Sequence, residues 1–327
     1  MSPPSRPSRL ASLAAIAATL ILLPGCGDSG SPGAAAARPQ VRVALDFTPN
    51  AVHAPIFTAV RTGADRRHGV RMAIERPGSQ PDSLKALVSG RADIGVLDIQ
   101  DLAIARQKGV PVVAIGALVQ RPLGALIAQP GIRRPADLSG RRVGVSGLPS
   151  DGPFLKAIVE HDGGDYGSIR QVTIGFAAVS ALLGRKVDAV PSFWSVEGIV
   201  LKQRGRRFKE FRIDDYGAPR FPEVVLVTTR AMLREHRDRV VGTLEAIRDG
   251  ARAVLDDPAP AVREIARESG DADLALIRAQ FAALRPIVDP QLTLRRPVLE
   301  AWAAFTAKVG LLDQAPDVGQ AFVFGLR

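Results

Sequence analysis

The sequence predicts an α/β protein of two lobes with a ligand cleft between them, on three observations. Short apolar runs alternate with amphipathic segments through most of the 327-residue chain, the pattern of sheets covered by helices. That pattern restarts at Arg133-Arg134-Pro135-Ala136-Asp137-Leu138-Ser139-Gly140, where a short helical turn ends at glycine and a new strand begins. Aromatic and acidic residues also recur at two strand ends, one in each half. In open α/β sheets the carboxyl end of a strand is where ligands bind, and a cleft between two lobes can close around one.

Apolar, β-branched runs predict strands at 41–45, 70–75, 94–96 and 112–118, and a crossing strand at 123–129 after the Arg121-Pro122 turn. Helical stretches fall between them at 56–62, 83–88 and 102–107. In the second unit, strands are expected at 141–146, 172–174, 189–190 and 211–213, with a helix at 154–161. A strongly apolar strand at 224–229 is followed by helices at 231–255, 261–268, 272–284 and 297–308, separated by prolines and glycines. The expected organisation is a first lobe of residues 41–130 plus 224–327 and a second lobe of 131–223.

The N-terminus accounts for the single cysteine. Arg6 and Arg9 precede an apolar stretch from 11 to 23, and Leu23-Pro24-Gly25-Cys26 follows. The stretch is too short to span a bilayer comfortably and fits a secretory signal at 1–25, with Cys26 as the lipidated residue; the alternative is an uncleaved anchor or an ordinary signal peptide with a spare thiol. The small, polar run after it, 26–40, reads as a tether between lipid and folded body. The chain is then anchored to a membrane from outside the cytoplasm and does not cross it. Without a second cysteine, disulfides, zinc–cysteine sites and cysteine nucleophiles are excluded from the body. A net charge of +10 raises nucleic acid as a partner. Sparse aromatics among the arginines and sequestration outside the cytoplasm argue against it.

The first strand end carries Asp46-Phe47-Thr48-Pro49-Asn50-Ala51-Val52-His53. Pro49 suits a turn or a first helical turn, and the residues around it read as a polar turn or as one wall of a ligand site. The second carries Ser192-Phe193-Trp194-Ser195-Val196-Glu197-Gly198. There Trp194 and Glu197 lie one helical turn apart. An aromatic face and a carboxylate so placed could stack on a flat heteroaromatic ring and accept hydrogen bonds from its amino groups. The alternative is that Trp194 belongs to the core and Glu197 caps a helix. Asp98, at the end of the run 94–97, reads equally as a second acidic contact or as a helix N-cap.

These segments resemble the NMT1/THI5-like proteins, which include lipoprotein binding components of ABC importers for thiamine pyrimidine precursors. The resemblance rests on 45–54, on Ser89-Gly90-Arg91-Ala92-Asp93-Ile94-Gly95, on Asp137-Leu138-Ser139-Gly140 with 141–145, and on Phe193-Trp194-Ser195-Val196-Glu197-Gly198, where Ser195 replaces the usual Asn. Asp214-Asp215-Tyr216-Gly217-Ala218-Pro219 and 221–226 resemble the family's return crossover. The resemblance implies a two-lobed periplasmic-binding-protein-like fold (type II). It implies that Phe47 and Trp194 sandwich a ring, that Asn50 bonds it, and that Glu197 recognises an amino-pyrimidine edge. His53 would touch the ligand or hold the turn, Asp46 would share that wall, and Ser146 and Ser150 would receive a polar or anionic tail. The expected ligand is a hydroxymethyl- or formylamino-pyrimidine, with riboflavin or another flat heterocycle behind it. The expected partners are an ABC permease and ATPase, and the protein is expected to act as a monomer without a cofactor.

The eukaryotic branch of the same family makes the thiamine pyrimidine, using a Lys, a His and pyridoxal phosphate. Its Lys and His fall in the segment matching Gly95-Val96-Leu97-Asp98-Ile99-Gln100-Asp101, which here has neither. Its cysteine cluster matches Arg220-Phe221-Pro222. No Ser-His-Asp set, metal-spaced His pair or phosphate loop stands out elsewhere, so the chain is expected not to be an enzyme.

Overall fold

Two five-stranded sheets arise from ten short strands, most of them runs of apolar and β-branched residues. A computed structural model describes residues 38–77, 82–205, 207–271 and 273–327. Cys26, the signal 1–25 and most of the tether 26–40 lie outside the described residues. In chain order the strands are β1 (Gln40–Ala44), β2 (Arg71–Glu75), β3 (Ile94–Asp98), β4 (Val112–Ala117), β5 (Gly124–Ala128), β6 (Arg142–Val145), β7 (Arg170–Thr173), β8 (Ala189–Phe193), β9 (Lys209–Arg212) and β10 (Val224–Thr229). One sheet runs β2-β1-β3-β10-β4 and the other β7-β6-β8-β5-β9. β1 is parallel to β2 and β3, and β6 to β7 and β8. In each sheet one strand is inserted antiparallel: β10 between β3 and β4, and β5 between β8 and β9.

The pairing of β5 moves the first crossover. Sequence places residues up to 130 in the first lobe, yet β5 bonds to β8 and β9 of the second sheet, so the chain changes lobes between Ala117 and Gly124. The return lies between β9 and β10. Arg121 of the first crossover pairs with Asp214, whose side chain is fully buried at the start of the second.

The helix expected over 231–255 is two, Arg230–Glu235 and Arg237–Asp256, broken where His236 leaves helical dihedrals (φ −138, ψ 43). No Pro or Gly marks this break. The longer helix lies against helix Ala54–Arg61 in the first lobe. Gly250 permits the approach, since a Cβ there would come within 2.0 Å of the Pro55 carbonyl. Helix Leu274–Leu284 touches both the turn Ala51–His53 and helix Glu197–Gln203, so it reaches both walls of the cleft. Among the described residues no helix is long and apolar enough to cross a membrane.

Candidate functional site

The carboxyl ends of β1, β3, β6, β7 and β8 open onto one cleft of about 220 Å³. The apolar core of each lobe fixes these strand ends, and the loops after them deliver polar and aromatic side chains into the gap.

After β1, Pro49 and Asn50 turn the chain into the helical turn Ala51–His53. The Asn50 side chain accepts from the Val52 N–H at 2.9 Å, and the Asn50 N–H donates to His53 Nδ1 at 3.2 Å, a reciprocal cap. His53 is 1% exposed, and its Nε2 bonds Asp46 at 2.7 Å. Asn50 also donates to the Thr48 carbonyl. Asn50 and His53 therefore spend most of their hydrogen-bonding capacity on the turn, and their main effect is to hold Asp46 and Phe47 at the cleft wall.

Asp98 stands at the N-cap position of helix Ile99–Gln107 but makes no side-chain cap bond. Its Oδ1 is buried without a partner, and the residue lines the cleft. Asp101, one turn on, and Glu223, just before β10, line the same end. Glu223 is 4% exposed and accepts from the Leu123 N–H at 3.1 Å. Burial, then repulsion from Glu223, Asp101 and Asp46, holds the Asp98 carboxyl well above its usual range. Burial raises Glu223 to about 7, with Asp101 adding repulsion, and burial with Asp46 raises Asp101 to about 6. On the opposite wall, burial also raises Glu197, against the Phe193 N–H that donates to its Oε2 at 3.1 Å.

Trp194 does not close a ring sandwich. It is 3% exposed and absent from the cleft lining. Its indole N–H donates to the Pro122 carbonyl at 3.0 Å, and the Arg212 guanidinium lies 4.0 Å over its ring. Trp194 falls in the turn just past β8 and packs into the core, whereas Phe193, the last residue of the strand, lines the cleft. The aromatic partner of Phe47 is Phe176, from the loop after β7. The two rings are in contact, with centroids 5.6 Å apart and planes tilted by 54°.

Ser146 and Ser150 both line the cleft. Ser146 Oγ bonds the Asp151 carboxylate at 2.9 and 3.0 Å, so its hydroxyl is committed within the chain. Ser150 precedes helix Asp151–His161 and makes no side-chain cap bond.

Sequence reasoning passed over Asp101, Asp151, Phe176 and Glu223. Asp101 carries a helical-spacing signal, three residues after Asp98. Glu223 carries a weaker one, an acid directly before the apolar run that opens β10. Phe176, between Gly175 and two alanines, carries none.

Residues 50–261 match the family model described as NMT1/THI5 like. A formylaminopyrimidine-binding protein from Halalkalibacterium halodurans is 30% identical over 241 residues, 73% of each chain. A 4-amino-5-hydroxymethyl-2-methylpyrimidine phosphate synthase from Legionella pneumophila is 24% identical over 292 residues, 86% of this chain and 90% of that protein. The alkanesulfonate-binding protein SsuA from Xanthomonas axonopodis pv. citri, bound to MOPS, has a TM-score of 0.71 at 18% identity, covering 89% of this chain and 100% of that one. The periplasmic aliphatic sulphonate binding protein SsuA from Escherichia coli gives 0.72 at 14% identity, covering 88% and 92%. These likenesses establish an α/β, periplasmic-binding-protein fold. The chain belongs to the NMT1/THI5-like family.

Proposed function

We propose that the chain is the substrate-binding lipoprotein of an ABC importer and that its cleft takes a small amino-heteroaromatic, first of all a formylamino- or hydroxymethyl-pyrimidine. One observation carries this reading: aromatic side chains and hydrogen-bond-accepting carboxylates face each other across the cleft, Phe47 with Asp46 on one wall and Phe176 with Glu197 on the other. A flat ring bearing an amino group offers faces to the first kind of group and N–H donors to the second. The likeness to a formylaminopyrimidine-binding protein supports the same ligand class. Under this reading Cys26 carries the lipid, the body lies outside the cytoplasm, and a permease and ATPase receive the ligand.

The synthase relatives raise catalysis as a second reading. Against it stands the segment from Gly95 to Asp101, which presents Asp98 and Asp101 to the cleft and holds neither Lys nor His. We therefore assign binding without turnover.

Calorimetric titration of the purified protein with formylaminopyrimidine, hydroxymethyl-aminopyrimidine and riboflavin tests the proposal. A dissociation constant of about 1 μM or tighter is expected for one of the pyrimidines. Heat from riboflavin alone would move the assignment to the other heterocycle. No heat from any of the three, with no rise in melting temperature, would overturn it.

A further inference from the structure

Asp151 is the first residue of helix Asp151–His161, and its side chain turns back into the loop from β6. Gly147, at φ +96, and Leu148 donate their backbone N–H groups to Asp151 Oδ2 at 2.7 and 2.9 Å. With the Ser146 hydroxyl, this makes three donors converging on one carboxylate. Inward-turned amides between a strand and a helix N-terminus are a ready-made seat for a phosphate, sulfonate or carboxylate. Here the chain's own carboxylate already sits in it. Pro153 adds to the effect, because it contributes no N–H in the helix's first turn.

The rest of the cleft is lined by acids and, among the described residues, offers no basic side chain. Asp46, Asp98, Asp101, Glu197 and Glu223 line it, and among the described residues no Lys or Arg does, in a chain with 43 of them. Burial pushes four of these acids toward the neutral form, and a dianionic group placed among them would still find no basic side chain to offset its charge.

We infer that Asp151 is a built-in anion that fills the second-lobe anion seat, closing the cleft to phosphate- and sulfonate-bearing ligands and reserving it for an uncharged or cationic amino-heterocycle. The identity of the heterocycle rests on the reading above; the occupation of the seat does not. Asp151 thus acts as a specificity determinant by excluding a ligand group.

The test uses Asp151→Gly, which vacates the seat, and Asp151→Asn, which keeps its shape and removes the charge. Hydroxymethyl-aminopyrimidine and its phosphate ester are titrated calorimetrically. Inorganic phosphate and sulfate are each added alone in melting experiments beside the wild type. Wild type should bind the ester at least about 100-fold more weakly than the alcohol, and each variant should narrow that ratio by about ten-fold or more. Asp151→Gly should also gain stabilisation from phosphate or sulfate beyond that of wild type in the same buffer. Equal binding of ester and alcohol by wild type would overturn the inference. So would an unchanged ratio and an unchanged ion response in the variants that melt cooperatively. If Asp151→Gly does not fold, the ratio in Asp151→Asn decides. If no pyrimidine binds the wild type, the ligand reading fails while the phosphate and sulfate arm still reads the seat.

Discussion

His53 Nε2 lies 2.7 Å from the Asp46 carboxylate while His53 Nδ1 accepts from the Asn50 N–H. With Nδ1 accepting, the ring proton sits on Nε2 and is donated to Asp46. The imidazole works as a strut between the turn and the acid at the cleft wall. Replacing it with Ala removes both bonds and leaves a buried gap. His53→Ala should cost about 2 kcal/mol of fold stability by urea titration, and ligand affinity should fall with it.

Glu197 faces the cleft, and its Oε2 also receives the Phe193 N–H. Gln can still accept that bond but carries no charge. Glu197→Gln should lower affinity for an amino-pyrimidine by about 10- to 100-fold, by calorimetry, with a melting temperature close to wild type.

Trp194 should behave as a core residue. Trp194→Ala is expected to cost about 3–5 kcal/mol in urea unfolding, because it removes a buried indole, its bond to Pro122 and its contact with Arg212. Loss of binding with unchanged stability would contradict the packing described here.

Phe47 and Phe176 sit too close to admit a ring between them. Stacking on both faces needs about 3.5 Å on each side, hence about 7 Å between the rings, against the 5.6 Å observed. A ligand ring stacked between them would require the two rings to separate. Phe176 is 42% exposed, so Phe176→Ala should weaken binding by about ten-fold and speed ligand release in stopped-flow, with little change in stability.

Glu223 and Asp101 set a pH dependence. Their folded values, about 7 and about 6, lie above the usual 4.5 and 3.8. Between those limits the folded protein binds more protons than the unfolded chain. The stability these two groups contribute is fully present below about pH 4 and is lost as pH rises through 6 and then 7. Melting temperature should therefore rise as pH is lowered from 8 to about 5.5, and Glu223→Gln should flatten that slope.

Most strands were legible because apolar, β-branched runs of four to six residues separated by turns leave few alternatives. What such runs do not encode is the partner. The strand at 124–128 was visible, but its membership of the second sheet depends on hydrogen bonds to segments more than 60 residues away. Glu197 was legible as a carboxylate just past a strand end. Trp194 was misplaced because proximity to a strand end does not say whether a side chain in the turn that follows enters the cleft or packs into the core. Phe176 and Asp151 act through loop geometry, which periodicity does not report.

The insertion of β10 between β3 and β4 carries a consequence for biogenesis. Until the chain has been made past Thr229, β3 and β4 lack the strand that joins them, and β4 has no strand neighbour in its sheet. The N-terminal lobe, although its first strands are synthesised early, is completed after the whole second sheet. Completing its sheet means closing a loop of more than 100 residues, a high-contact-order step. The first sheet, begun first, is therefore finished last, and the two halves are completed in the reverse of their order in the gene.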